Sequence, residues 1–134
     1  MTVSISGVFV LADDPEAALT FYRDTLGLEV RKQVAKDGFR WITLSTADQP
    51  EIEIVLAHPQ VGHSSEDGDV IAALLAKGEL SGLLFRTDNL DATFERVRAA
   101  GDAEILQEPV SQPWGVRDAA FRDPAGNLVR ISQA

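Results

Sequence analysis

Two stretches of this chain carry the same order of structural signals, and that repetition limits the fold more than anything else in the sequence. Gly7 and Gly82, Asp13 and Asp88, and Leu19 and Phe94 lie 75 residues apart, while Leu44 and Phe121, and Glu53 and Arg130, lie 77 apart. A retained pattern with little identity is how an internal duplication looks in sequence, and the two-residue drift fits one loop insertion. Each copy reads strand, helix, then three strands.

In the first copy, Val3 to Leu11 (VSISGVFVL) alternates apolar residues at odd positions, as a half-buried strand does. Asp13-Asp14-Pro15-Glu16 is a helix start. Asp14 can cap, Pro15 suits the first helical position, and Glu16 favours the positive end of the dipole. Ala18, Phe21, Tyr22 and Leu26 then share one helical face, and Gly27 ends the helix. Strands are predicted over 28–35, 39–46 and 51–57, the first two joined by an Asp37-Gly38 hairpin turn. In the second copy, a strand is predicted over 81–87, with Asp88 or Asn89 capping a helix striped by Leu90, Phe94 and Val97 and stopped by Gly101. Strands over 103–108, 115–122 and 127–132 complete it, the last two joined by Asp123-Pro124-Ala125-Gly126.

The expected fold is therefore α+β, with two tandem βαβββ modules. One domain spans 1–134, with module one over about 1–57 and module two over about 81–134. Between them, 58–68 reads as a polar loop and 69–77 as a short helix that Asp69 can cap. That loop reads either as a lid or as a plain linker.

Composition removes several function classes. With no cysteine, disulfides, thiolate metal sites and cysteine nucleophiles are excluded. A formal net charge of −9 argues against nucleic-acid binding, which needs clustered Lys and Arg. The N-terminal region shows neither a signal-peptide pattern nor a membrane span, so a cytoplasmic location with no membrane partner is the expectation. Nucleophile elbows, phosphate-cradling loops and dinucleotide fingerprints are absent.

Phe21-Tyr22-Arg23-Asp24-Thr25-Leu26-Gly27-Leu28 near the start and Asp123-Pro124-Ala125-Gly126-Asn127 near the end bracket nearly the whole chain. Together they resemble the glyoxalase/bleomycin-resistance/extradiol-dioxygenase (vicinal oxygen chelate) superfamily. Trp114-Gly115-Val116-Arg117 looks most like its bleomycin-resistance branch. The resemblance implies that the two modules form a curved, half-barrel mixed sheet around a cup, in a homodimer whose cup lies within or between subunits. It also implies four metal-ligand positions, which fall here on Gly7, Glu53, Gly82 and Arg130. Of these, only Glu53 could ligate a divalent cation, since glycine has no side chain and a guanidinium no lone pair. No metal and no other cofactor is therefore expected.

The candidate ligand-binding residues are Gly7, Phe9, Trp41, Glu53, Gly82, Trp114, Arg117 and Arg130. Glu53 and Arg130 are expected to pair across the cup, as a ligand anchor or as a self-satisfied pair. The two glycines read either as making room for a ligand or as bulges. Phe9, Trp41 and Trp114 are suited to stacking on a flat or cationic ligand, with core packing as the alternative for each. Arg117 is expected to reach the cup or a loop carbonyl.

The function expected is binding of a small organic molecule without chemical change, including sequestration of an antibiotic or metabolite. The alternative is a lyase, isomerase or dioxygenase of the same superfamily using Glu53 and a divergent or absent metal site.

Overall fold

A computed structural model describes residues 1–134. Its element order is β1 (Gly7–Leu11), α1 (Pro15–Leu19) running directly into a wider π-helical turn (Thr20–Thr25), β2 (Glu29–Lys36), β3 (Phe39–Thr46) and β4 (Gln49–Ala57). Then follow α2 (Ser65–Ala76), β5 (Leu83–Thr87), α3 (Leu90–Ala100), β6 (Glu104–Ser111), β7 (Arg117–Arg122) and β8 (Leu128–Gln133). The strands form two four-stranded sheets with the same topology, β1-β4-β3-β2 and β5-β8-β7-β6. In each, the first strand pairs in parallel with the last and the remaining pairs are antiparallel. The fold is two tandem βαβββ modules.

Local chemistry explains the elements. Asp14 accepts from the Glu16 and Ala17 backbone N–H groups, and Asn89 caps α3 by accepting from Ala92. Asp37 and Gly38 both take positive φ, as the β2–β3 hairpin turn requires. Thirteen residues separate the Asp14 cap from the left-handed Gly27, against twelve from Asn89 to Gly101. The first helix absorbs its extra residue in the π turn, where Leu26 N–H donates to Phe21 O at 2.9 Å.

Two boundaries differ from the sequence reading. β1 starts at Gly7 rather than Val3: residues 1–6 are exposed, and only the Ser6 carbonyl joins the sheet, accepting from Glu53 N–H. α2 starts at Ser65, four residues before Asp69, because Ser64 caps it through Asp67 N–H and Glu66 and Asp67 lie at the positive end of the dipole. Gly68, which reads as a loop residue, lies inside this helix under the Gln60 side chain. No helix is long and apolar enough to cross a membrane.

One hydrophobic core joins the modules. Leu19, Phe21 and Tyr22 of the first helix meet Leu90, Phe94 and Val97 of α3. Ile42, Leu44, Ile54 and Leu56 close this core from the first sheet, and Phe121, Val129 and Ile131 close it from the second.

At its edge sits Asp123, buried. Its Oδ1 accepts from the backbone N–H groups of Ala125, Gly126 and Asn127 at 2.8–3.0 Å. Its Oδ2 accepts from Tyr22 Oη at 2.6 Å and from Asn127 Nδ2 at 2.9 Å. Asn127 Nδ2 also donates to the Leu11 carbonyl at 2.8 Å. The carboxylate thus shapes its own turn and binds the turn to the helix and first strand of the other module. Burial first, then the negative charge of Asp123 and the hydrogen bond to it, push the Tyr22 phenol far above its ordinary pKa, so it stays a donor. Tyr22→Phe should lower stability by about 1–2 kcal/mol in urea unfolding while leaving the fold intact; an unchanged midpoint would show that the bond between the modules contributes nothing.

Candidate functional site

In a strand, alternate residues point to opposite faces, so register decides which side chains meet. The helices cover one face of each sheet, and the other face is free of them. On the first sheet, the pairs Gly7–Glu53, Phe9–Val55, Thr43–Val55, Lys32–Thr43 and Val34–Trp41 place these residues on the helix-free face. Lys32, Val34, Lys36, Trp41, Thr43 and Val55 line a hollow of about 320 Å³ there. Phe9, 70% exposed, meets Trp41 edge to face with centroids 6.3 Å apart. Large apolar side chains left this open on a folded chain mark a surface that something else covers.

On the second sheet, the pairs Leu84–Arg130, Arg86–Ser132, Asp118–Ser132, Ala120–Arg130 and Gln107–Ala120 define the matching face. It is polar. Asp118 is only 5% exposed. Its Oδ1 accepts from Gln107 Nε2 at 3.0 Å and Gln112 Nε2 at 2.8 Å, and its Oδ2 accepts from Arg130 Nη1 at 3.0 Å. Gln112 Nε2 also donates to Gln107 Oε1, which fixes both amides. Burial by itself would raise the Asp118 pKa. The hydrogen bonds from Gln112, Gln107 and Arg130, with the charge of Arg130, outweigh it and hold the carboxyl below its ordinary range. Between the sheets, Ile5, Phe9, Gly82 and Leu84 help to line a mostly apolar groove of about 880 Å³.

The structure redistributes several of the expected site residues. Arg130 pairs with Asp118 on its own sheet, not with Glu53. Glu53 faces outward from the first sheet, and no basic side chain lies within salt-bridge distance of it. Arg117 neither enters the cup nor meets a carbonyl: one residue from Asp118, it points to the opposite face and pairs with Asp91 on α3 at 2.7 Å. Trp114 is exposed at the tip of the β6–β7 hairpin.

The two glycines serve backbone contact, not open space. A Cβ on Gly7 would lie 2.6 Å from the Glu53 carbonyl oxygen, and one on Gly82 would collide with the backbone of Leu128. Gly7 is not a bulge, since β1 runs in unbroken register beside β4, and Gly82 lies just before β5, outside the ladder with β8. That register also puts Gly7 opposite Glu53 but Leu84, not Gly82, opposite Arg130.

Whether Gly82 or Leu84 fills the fourth position, a set of Gly7, Glu53 and Arg130 with either does not fit a divalent cation, because only Glu53 carries a donor. Nowhere in the chain do three His, Cys, Asp or Glu side chains converge as metal ligands would. His58 stacks on Phe39, and its Nδ1 accepts from Gln60 N–H.

Residues 4–131 match the family described as the Glyoxalase/Bleomycin resistance protein/Dioxygenase superfamily. The chain belongs to it. Among solved structures, UcmS2 is 34% identical, superposes with a TM-score of 0.88, and is covered over 100% of both chains. TnmS3, an antibiotic binding protein from Streptomyces sp. CB03234, is 28% identical with a TM-score of 0.74, over 99% of this chain and 98% of that one. The uncharacterized protein YurT of Bacillus subtilis (strain 168) is 27% identical over 99% of each chain.

Sequence reasoning missed Asp118, Gln107 and Gln112. The available signal was parity: Asp118 and Ala120 alternate on the strand beside Arg130, so Asp118 shares its face and Arg117 does not. Because the folded-state pKa of Asp118 lies below its unfolded value, its ionised form contributes stability above about pH 4. That contribution fades as pH falls through the folded-state value. Asp118→Asn should flatten the loss of thermal stability between neutral and acid pH; a variant whose acid limb matches the parent would remove Asp118 from the account.

Proposed function

We propose that this superfamily member binds a small, flat organic molecule on the helix-free faces of its sheets and holds it without chemical change. The observation that carries the reading is the exposed Phe9–Trp41 pair beside a hollow lined by Val34 and Val55. Edge-to-face rings set over aliphatic side chains make a stacking surface for an aromatic ligand. The binding is metal-independent, because among the residues at the expected ligand positions only Glu53 carries a donor atom. TnmS3, which is named an antibiotic binding protein, supports an antibiotic or a related secondary metabolite as the ligand class.

The chain works as a homodimer. Ile5, Phe9, Leu84 and Val110 are exposed together with residues 1–6, a distribution better suited to a surface that a second copy closes. One observation favours the enzymatic alternative: Glu53 is an unpaired carboxylate on the same face as the aromatic pair and could act as a general base.

Titration with a panel of polycyclic aromatic antibiotics and metabolites, followed by tryptophan fluorescence, tests this. A bound compound should be recovered unaltered, and Trp41→Ala should weaken it about tenfold or more. Steady conversion of the compound, abolished by Glu53→Gln, would replace the binding reading with a catalytic one. Sedimentation at micromolar concentration should give a dimer; a monomer would remove the proposed closure.

A further inference from the structure

We infer that the cup selects ligands bearing an acidic oxygen, a carboxylate or an ionised phenol, and that Arg130 is the residue that selects them. The inference rests on the small-molecule reading above and names the ligand's chemistry. It reverses the cationic ligand that a chain of net charge −9 suggests.

The geometry of one cluster carries it. Arg130 is held through Nη1 alone, by Asp118 Oδ2. Its Nη2 and Nε have no partner in the chain, and its side chain is 34% exposed, so those donors face the open side of the sheet. Asp118, in contrast, is saturated, with donors from Gln107 and Gln112 on one oxygen and from Arg130 on the other. A buried carboxylate fixed by two locked amides is a rigid support, and it aims a guanidinium while leaving most of its hydrogen-bonding fork free. A planar fork with free N–H groups matches a carboxylate or phenolate and repels a cation.

The surrounding charges agree. On the same face, Arg86 has no carboxylate within 4 Å, so with Asp118 neutralised by Arg130 a positive charge remains there. Asp48 enters the hollow beside Arg86 from the β3–β4 turn without reaching it. Lys32 and Lys36 flank the aromatic hollow, also unpaired, while Glu53 is the acidic residue opposite Gly7 on that sheet. Arg31 pairs with Glu29 at the edge of the first sheet, and Arg23, Arg40, Arg98, Arg117 and Arg122 pair with other carboxylates. Lys32, Lys36 and Arg86 are thus cations left free on the faces where a ligand would sit, as Arg96 on α3 and Lys77 after α2 are away from them.

Three probes of one shape test this by tryptophan quenching: 2-naphthoate, 2-naphthamide and 2-(aminomethyl)naphthalene at neutral pH. The parent protein should bind the acid at least about tenfold more tightly than the amide, with the amine weakest. Arg130→Gln should abolish the acid-over-amide preference, bringing acid binding down to the level of the amide. Because that variant strands the charge of Asp118, the double variant Asp118→Asn/Arg130→Gln is measured beside it, and it should show the same loss of preference. Asp118→Asn alone should reduce the ratio, which a purely structural role for Asp118 would leave untouched. Equal binding of acid and amide by the parent, or a preference that survives in both Arg130 variants, would overturn the inference but leave the small-molecule reading standing. No binding of any probe up to about 1 mM would remove the aromatic cup itself.

Discussion

The architecture depends on one buried carboxylate. Asp123 accepts donors from its own turn, from Asn127 and from Tyr22 across the module boundary, while Asn127 reaches on to the carbonyl of Leu11. Burying a carboxylate without partners is strongly unfavourable, so these donors must converge or the chain does not close in this way. The convergence has a sequence consequence. Residues 21–28 and 123–127, a hundred residues apart, form two sides of one contact, and for that reason they occur as a pair. The motifs that carry the likeness to the superfamily hold its modules together.

That separation leaves the helix-free faces at liberty to change. A strand residue is committed either to the core or to the opposite face, and the core side here is filled with Ile42, Leu44, Phe121 and Val129. The other side carries an aromatic pair with lysines on one sheet and a locked Asp118–Arg130 cluster on the other. Where the resemblance implies metal ligands, this chain carries Gly7, Glu53 and Arg130 with Gly82 or Leu84, and only Glu53 has a donor. The two halves are complementary in chemistry, one apolar and flat, the other polar and directional, which suits a ligand with an aromatic body and an acidic edge.

Much of this was legible in the sequence. The duplication, the Asp14 cap, the Asp37-Gly38 hairpin and the left-handed Gly101 are local effects that depend on neighbouring residues only, and each occurs where the sequence places it. Phe9 and Trp41 each read as residues suited to stacking, and the first sheet brings them together. The failures all required register or distance. The sequence reading names Arg117, whereas its neighbour Asp118 is the residue on the face of Arg130, because one step along a strand changes the face. Gly7 and Gly82 looked equivalent by spacing, but the β5–β8 ladder places Leu84 in the matching slot. The start of α2 was set at an acidic residue that could cap, whereas Ser64 does cap, since Asp67 N–H lies within its reach.

The account stands on the claim that this chain engages its ligand through side chains and not through a bound cation. Metal content of the protein purified without chelators, measured by mass spectrometry of the elements and normalised to chain, addresses that claim directly. The expected result is no divalent transition metal near stoichiometric amount, before or after incubation with zinc, nickel, manganese or iron(II) and desalting. One tightly retained ion per chain would contradict it and return the protein to the metal-dependent members of its superfamily.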